Sequence, residues 1–178
     1  TLMELDYFDR ARAEVLKATD LPTRSKVEEL LVKGTRGLVL RDFPAACEAF
    51  DSRMFWTKIA GAEDRSSAAL DLARCQDKAY MTDKAKASFE AVLAADPTNP
   101  AALTSLAAIV DRQGRTEEAL RLLERARTSN ERTGLQEGVA EVDLRRAVIL
   151  EQISKLQESK DAATRALETA GKFNNRQL

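Results

Sequence analysis

The sequence contains no histidine, and aromatic residues make up only 5% of its 178 residues. Histidine is the commonest general base and the commonest zinc ligand, so the most frequent routes to acid–base catalysis and to a zinc site are missing. Glycine-rich phosphate loops, GxSxG motifs and metal-ligand clusters are also absent from the sequence. We therefore predict no catalytic residues, no metal site, no cofactor and no enzymatic activity.

The sequence has no excess of charge of either sign and no long apolar run. Its 28 lysines and arginines face 29 aspartates and glutamates, which leaves a net charge of -1. Nucleic-acid binding normally needs a basic surface, so we expect no nucleic-acid partner. No apolar run approaches the length that crosses a bilayer, so we expect no direct insertion into a membrane.

Only two cysteines are present, Cys47 and Cys75, and they are too far apart to form a CxxC motif. Cys47 lies on an apolar helical face, so we interpret it as a small buried hydrophobic residue. Two cysteines without a disulfide-dense pattern favour a reducing compartment. We expect an intracellular, cytoplasmic location, and leave an organelle open because the sequence begins at Thr1 without an initiator methionine.

Two prolines separate two alanine-rich segments in residues 86–110, KASFEAVLAADPTNPAALTSLAAIV. The apolar residues on each side recur with helical spacing, which predicts two helices with one buried face each. Asp96–Pro97 ends the first helix, and Asn99 caps a second helix that begins at Pro100. Neither helix can bury its apolar face alone, which indicates a repeated helix pair.

The same pattern recurs along the chain in a common register. Three anchors of the central pair, Ala73, Ala85 and Phe89, are each followed at one constant interval by Ala107, Ala119 and Leu123. A second constant interval separates these three anchors from Gly34, Ala46 and Phe50, which precede them. A third separates Ala107, Ala119 and Leu123 from the residues that follow them, Ala147, Ser159 and Ala163. Small residues at the eighth and twentieth positions allow two helices to approach closely.

A repeat period of about 34 residues with these small residues resembles the tetratricopeptide repeat (TPR) family. We assign four repeats, at residues 27–60, 66–99, 100–133 and 140–173. The resemblance implies an all-α fold, a right-handed α-solenoid of about four TPR-like helix pairs that spans residues 27–173. The aromatic residue typical of the eleventh position is absent, and Arg53 and Ser159 depart from the small-residue pattern.

Two segments lie outside the repeats. Residues 1–26 contain an additional N-terminal helix, at about residues 2–18, and a linker that includes Pro22. We expect this helix to cap the open end of the stack, because repeat proteins need a polar end to stay soluble. Residues 174–178 form a polar tail.

The TPR resemblance implies a concave groove that binds a protein or peptide partner. The chain is then expected to act as an adaptor or scaffold in the assembly of a protein complex. The implied groove residues occupy the same positions of each repeat, and they are Leu31, Thr35, Leu38, Leu70, Arg74, Asp77, Thr104, Ala108, Asp111, Leu144, Val148 and Glu151. The alternative for Leu31, Leu38 and Leu144 is packing against neighbouring repeats.

A second candidate interface is the segment RMFWTKIAG, residues 53–61. Met54, Phe55 and Trp56 cannot share one narrow helical face, because neighbouring side chains point about 100° apart. Internal packing is the favoured explanation, and contact with a partner is the alternative. Self-association through this segment or through the C-terminal repeat face is therefore a second hypothesis for function.

Chaperone-binding members of the family clamp a terminal carboxylate with lysine, asparagine and arginine side chains. The equivalent positions here are Leu31, Thr35, Asp71, Ala101 and Ser105, which makes a co-chaperone role the less favoured alternative.

Arg121, Arg125, Arg127, Arg145 and Arg146 alternate with glutamates such as Glu117 and Glu124. An ordinary charged helix face with i,i+4 ion pairs is the favoured interpretation, and a site for phosphate or an acidic tail is the alternative.

Overall fold

The computed structural model describes residues 21–60 and 63–174, including the side chains of residues 25–55 and 66–172. Every element in these ranges is a helix, which confirms the all-α prediction. The predicted N-terminal helix at residues 2–18 lies outside the described residues. The helices are α1 (Leu21–Val39), α2 (Phe43–Ala60), α3 (Glu63–Lys78), α4 (Thr82–Ala95), α5 (Pro100–Arg112), α6 (Thr116–Thr133), α7 (Gln136–Gln152) and α8 (Leu156–Asn174).

The chain divides into two compact units, unit 1 from Thr1 to Ala95 and unit 2 from Asp96 to Leu178. In unit 1, consecutive helices from α1 to α4 pack against each other, and in unit 2 the same is true from α5 to α8. Each unit thus contains two antiparallel helix pairs joined by short turns, as in an α-solenoid.

One left-handed residue closes each helix pair at the same position of the predicted repeat. Arg41, Tyr80, Gly114 and Ser154 all have φ between 58° and 78°. In each turn the amide of the next residue donates to a carbonyl five residues back, as Asp42 does to Gly37 over 2.8 Å. This is the hydrogen bond of a Schellman motif, which ends a helix and reverses the chain. Of the four residues, only Gly114 adopts this conformation without a Cβ penalty.

Glycines bring α1 and α2 into close contact. A Cβ atom added at Gly34 would lie 2.7 Å from the Phe50 ring, and one added at Gly37 would lie 2.8 Å from the Ala46 Cβ. Gly34 and Phe50 are two of the repeat anchors, and both are buried. Gly37 occupies the position where an aromatic residue is typical, and its missing side chain is what lets Ala46 approach.

The turn around the two prolines is built as predicted. α4 ends at Ala95 and α5 begins at Pro100. Asn99 is the N-cap, and its side chain accepts a hydrogen bond of 3.0 Å from the amide of Ala102. Proline at the first helical position costs no hydrogen bond, because that amide has no partner within the helix.

Ser159 departs from the small-residue pattern, and its hydroxyl finds a hydrogen-bond acceptor within its own repeat. Its hydroxyl donates to the carbonyl of Ala147 over 2.8 Å. Ala147 is the eighth-position anchor of the same repeat, so the hydroxyl replaces an apolar contact between the two helices with a hydrogen bond. A small polar residue is therefore tolerated here at little cost.

The two cysteines form a disulfide, which was not predicted, whereas the burial predicted for Cys47 is confirmed. Cys47 on α2 is bonded to Cys75 on α3, with Cα atoms 5.5 Å apart. Both are buried in a hydrophobic cluster of unit 1 that includes Val27, Leu31 and Phe50. The separation of 28 residues concealed the pairing, because it places the cysteines on helices of different predicted repeats.

Candidate functional site

A cavity of about 370 Å³ lies between α5 and α7 in unit 2. These are the first helices of the two helix pairs, and they expose their facing surfaces to form the cavity walls. We call it the α5–α7 groove. Its lining residues are Thr104, Ala108, Asp111, Arg112, Leu123, Leu144, Arg145, Val148 and Ile149.

An exposed apolar ridge on α7 forms one side of the groove. Leu144 is 56% exposed and Val148 is 48% exposed, and the two lie one helical turn apart. The floor below them is fully apolar, since Leu123 is 1% exposed and Ile149 is 7% exposed. Two large apolar side chains that remain exposed above a packed floor form a surface suited to an apolar partner.

Charged side chains line the edge of the groove. Arg145 forms an ion pair of 2.8 Å with Glu141 one turn earlier on α7. Asp111 near the end of α5 accepts a hydrogen bond of 3.1 Å from the Thr116 hydroxyl. The edge thus carries both signs of charge, whereas the centre is apolar, which resembles the polar rim and apolar core of protein interfaces.

In unit 2, the structure brings together most of the groove residues that the sequence indicated. Thr104, Ala108, Asp111, Leu144 and Val148 all line the cavity. Glu151 is exposed near the end of α7 and does not line it. Arg145 and Ile149 were not among the candidates, although they directly follow Leu144 and Val148 in sequence. The signal that could have found them is their adjacency to residues on the groove side of α7.

In unit 1, the equivalent residues of α1 lie mostly in the core. Leu31 is 3% exposed and belongs to the hydrophobic cluster around the disulfide. Thr35 is 6% exposed, and its hydroxyl donates to the Leu31 carbonyl over 2.9 Å. Leu38 is half-buried and packs against the same cluster. Because core residues cannot contact a partner, we leave Leu31 and Thr35 out of the candidate site.

The unit 1 candidates on α3 are partly accessible. Leu70, Arg74 and Asp77 are all half-buried and lie along α3. Arg74 and Asp77 each already take part in interactions within the chain. Their availability to a partner stays a prediction.

The segment around Met54 is only partly exposed. Met54 is half-buried and packs against the unit 1 cluster, whereas Phe55 is 59% exposed. The Trp56 side chain lies outside the described residues. Of the two candidates whose side chains the structure describes, Phe55 is therefore the one on the surface.

A buried ion pair explains Arg53, which departs from the small-residue pattern. Arg53 is 0% exposed and pairs with Asp71, which is 3% exposed, across α2 and α3. Nε and Nη2 of Arg53 find no hydrogen-bond partner among the described residues. Asp71 is also one of the chaperone-clamp positions. Its burial against Arg53 makes it unsuitable for contacting the carboxylate of a chaperone tail.

A second charged cluster lies between α6, α7 and α8. Asp143 is 0% exposed and lies 3.2 Å from Nε of Arg127 and 3.8 Å from Nε of Arg165. Arg146 on α7 pairs with Glu124 on α6. Burial lowers the pKa of Arg146, the positive charge of Arg165 lowers it further, and Glu158 opposes both effects. Arginine remains protonated at neutral pH despite such a shift, so Glu124 keeps a cationic partner.

Within the described ranges, no group of three or more histidine, cysteine, aspartate or glutamate side chains is arranged to hold a metal ion. In the same part of the chain, no helix combines the length and apolar character that a bilayer crossing requires.

The family model for tetratricopeptide repeats matches residues 78–133. Residues 78–133 are therefore similar to tetratricopeptide repeats. The match covers α4, α5 and α6, the part of the chain in which the repeat period was clearest. No curated protein matches the sequence.

Solved structures share the fold over most of the chain. MamA is 19% identical with a TM-score of 0.67, over 94% of this chain and 91% of MamA. BtubC (BKLC) from P. vanneervenii is 20% identical with a TM-score of 0.74, over 94% of this chain and 72% of BtubC. A TPR protein from Parabacteroides merdae is 19% identical with a TM-score of 0.65, over 81% of this chain and 53% of that protein. These three similarities show the fold.

Proposed function

We propose that the chain is an adaptor that binds a segment of a partner protein in the α5–α7 groove and so helps to assemble a complex. The observation that supports this most directly is the exposure of Leu144 and Val148 above a buried floor. Burying the exposed half of each side chain against a partner would contribute roughly 1 kcal/mol each. The charged edge would then fix the orientation of the bound segment.

A short segment with one or two apolar anchors fits the groove best. A volume of about 370 Å³ accommodates a few side chains rather than a folded domain. Leu144 and Val148 are spaced by one helical turn, which matches anchors at i and i+4 on an amphipathic helix. The proposed ligand is therefore an amphipathic helix or a short peptide from another protein.

The proposal can be tested by placing charge on the apolar ridge. The variant Leu144→Arg/Val148→Arg should fold normally, because both side chains are about half exposed. The matched control is Leu167→Arg, which introduces the same residue at a 75% exposed leucine on α8 away from the groove. Both variants and the unchanged protein are used as bait in extracts of the native source, and captured proteins are compared by quantitative mass spectrometry.

A partner that binds in the groove is retained by Leu167→Arg and lost at least tenfold from the ridge variant, because truncating or replacing a hot-spot anchor costs roughly 2 kcal/mol or more. Circular dichroism confirms that both variants remain helical. Equal retention by the two correctly folded variants would rule out the groove as the binding site.

Self-association is the second candidate function, and the C-terminal helix favours it. Leu156 is 67% exposed and Leu167 is 75% exposed, and their separation of three helical turns places them on one stripe of α8. Sedimentation velocity over a range of concentrations distinguishes this candidate. A concentration-dependent dimer that Leu167→Arg abolishes, and that the ridge variant leaves intact, would favour the scaffold over the groove adaptor.

We also propose that the chain is not an enzyme and that its partners are proteins rather than nucleic acids. TPR modules typically bind proteins, and the net charge of -1 offers no general attraction for nucleic acid.

The cytoplasmic location expected from sequence stays a proposal. The Cys47–Cys75 disulfide would be reduced in the cytoplasm but would persist in an oxidising compartment. Alkylation of the protein in its native cells, followed by mass spectrometry, distinguishes the two.

A further inference from the structure

A second cleft in unit 2 is lined by three arginines of α6 and lies away from the α5–α7 groove. Arg121, Arg125 and Arg132 are four and seven residues apart, so they fall within one narrow stripe of the helix. Leu123, the floor of the groove, points to the opposite side of α6. The cleft has a volume of about 470 Å³, and the segment Pro97–Thr98 forms its other wall.

The positive charge of this stripe is largely uncompensated. Arg132 is exposed and has no ion pair or hydrogen bond with any part of the chain that the structure describes. Arg125 donates to the uncharged carbonyl of Pro97 over 2.9 Å. Arg121 lies 4.0 Å from Glu117, but both side chains are highly exposed, at 71% and 88%. An exposed pair at that distance neutralises little charge.

The acidic residue that lines the cleft has another partner. Glu124 lines the cleft but pairs with Arg146. Asp96 accepts hydrogen bonds of 3.0 and 2.8 Å from the amide and hydroxyl of Thr98. The cleft therefore presents more unpaired cationic donors than acidic acceptors.

The cleft is also held in a fixed shape. Ser129 on α6 donates to the Thr98 carbonyl over 2.6 Å, next to the bond from Arg125 to Pro97. These two hydrogen bonds link the segment before α5 to α6, so the arginines lie next to a wall of fixed position. A preorganised wall lowers the entropic cost of binding a ligand.

We propose that the Arg121–Arg125–Arg132 stripe binds an extended acidic segment of a partner protein. Helical rise separates Arg121 from Arg125 by about 6 Å and Arg125 from Arg132 by about 10.5 Å. In an extended peptide successive side chains point to opposite faces, so residues that share a face are separated by about 6.6 Å when two apart and by about 13 Å when four apart. Carboxylates at the first, third and seventh residues of a peptide therefore share one face, and the long arginine side chains can reach all three and bind them through paired hydrogen bonds.

A peptide fits this surface better than a nucleic acid does. The stripe is only about 16 Å long by helical rise, and the whole chain is slightly acidic. Nucleic-acid sites use broader basic surfaces that contact many phosphates. The lining of the cleft also includes the apolar residues Leu103 and Pro97, which suits the aliphatic parts of a peptide.

The test uses the full chain and a fluorescein-labelled peptide with the sequence Glu-Ser-Glu-Ser-Ser-Ser-Glu, measured by fluorescence anisotropy at low and high salt. The test variant is Arg121→Gln/Arg125→Gln/Arg132→Gln. The charge-matched control is Lys155→Gln/Lys160→Gln/Lys172→Gln, which removes three exposed cations from the turn before α8 and from α8 itself.

The arginine variant should lose at least tenfold in affinity and the lysine variant less than twofold, and salt should weaken binding to the unchanged protein. If the triple variant does not fold, Arg132→Gln alone should cost about threefold, because Arg132 has no structural partner in the described chain. Equal losses in both triple variants, or equal affinity for the glutamine version of the peptide, would overturn the proposal. So would tighter binding of a single-stranded oligonucleotide of similar length.

Discussion

The same repeat positions are buried on α1 of unit 1 and exposed on α7 of unit 2. At the fifth position, Leu31 in unit 1 is 3% exposed whereas Leu144 in unit 2 is 56% exposed. At the ninth position, Thr35 is 6% exposed whereas Val148 is 48% exposed. The repeat register determines which helix carries a residue and which way it faces. It does not determine whether that face is covered, so equivalent positions can serve as core in one unit and as surface in the other.

The units also differ in how their polar and covalent contacts are buried. Unit 1 holds a disulfide and an ion pair, Arg53–Asp71, whose two members are 0% and 3% exposed. In unit 2, Asp143 is 0% exposed, but its partners Arg127 and Arg165 are 23% and 43% exposed. A charge that reaches solvent tolerates the loss of its partner better than one that does not.

The largest expected loss of stability comes from breaking the Arg53–Asp71 ion pair, and the ion pairs of Asp143 serve as the comparison. Asp71→Ala should destabilise unit 1 by about 3–5 kcal/mol, because it leaves the fully buried Arg53 without its counter-ion. Asp143→Ala should cost unit 2 only about 1–3 kcal/mol, since both of its arginines reach water. Hydrogen exchange in urea measures the two units separately. An equal or larger loss for Asp143→Ala would contradict the difference in burial.

The second effect is loss of the disulfide. Cys47→Ala/Cys75→Ala should lower the stability of unit 1 by about 3–4 kcal/mol, as expected for a loop closed over 28 residues. The amides of α6 to α8 should keep their exchange rates, because the disulfide lies entirely within unit 1. Slowed or unchanged exchange in α2 and α3 would show that the disulfide does not stabilise the native unit.

The third effect compares two helical glycines. Gly34→Ala should cost about 1–3 kcal/mol, because its Cβ would lie 2.7 Å from the Phe50 ring. Gly171→Ala on α8 meets nothing within 4 Å and should instead stabilise by about 0.5–1 kcal/mol through better helix propensity. Thermal unfolding gives both values. Changes of the same sign would contradict the close approach of α1 and α2.

The smallest expected change in stability comes from the left-handed turn residues, and it should be similar in both units. Tyr80→Gly in unit 1 and Ser154→Gly in unit 2 should each stabilise by about 1 kcal/mol, because both residues have left-handed φ values of about 60°. Gly114→Ala, the reverse change at the equivalent position, should destabilise by about the same amount. Urea unfolding of the three variants checks the set, and stabilisation by Gly114→Ala would show that the shared turn geometry is wrong.

Features that depend on neighbours in sequence could be predicted. The Asn99 cap and Pro100 at the start of α5 follow from backbone chemistry within a few residues. The helix pairs follow from small residues in common register, and burial of Ala73, Ala107 and Phe89 agrees with their role as anchors. The arginine stripe on α6 could have been found in the same way, because its members recur with helical spacing.

Features that depend on contacts between helix pairs could not be predicted. Nothing near Cys47 indicates Cys75 as its partner, because the two meet only when α2 packs against α3. The burial of Leu31 and the exposure of Leu144 likewise depend on what covers each helix. Family resemblance assigns both leucines to the groove, and only tertiary packing separates them.

Thiol labelling at the ninth repeat position tests this difference most directly. Thr35→Cys and Val148→Cys are made separately and reacted with a maleimide under non-reducing conditions, where the native cysteines are bonded to each other and do not react. Val148→Cys should react at nearly the rate of a free thiol, and Thr35→Cys at least a hundredfold more slowly, because it must wait for local unfolding. Similar fast rates at both sites would contradict the account, since the groove positions of α1 would then be open as well.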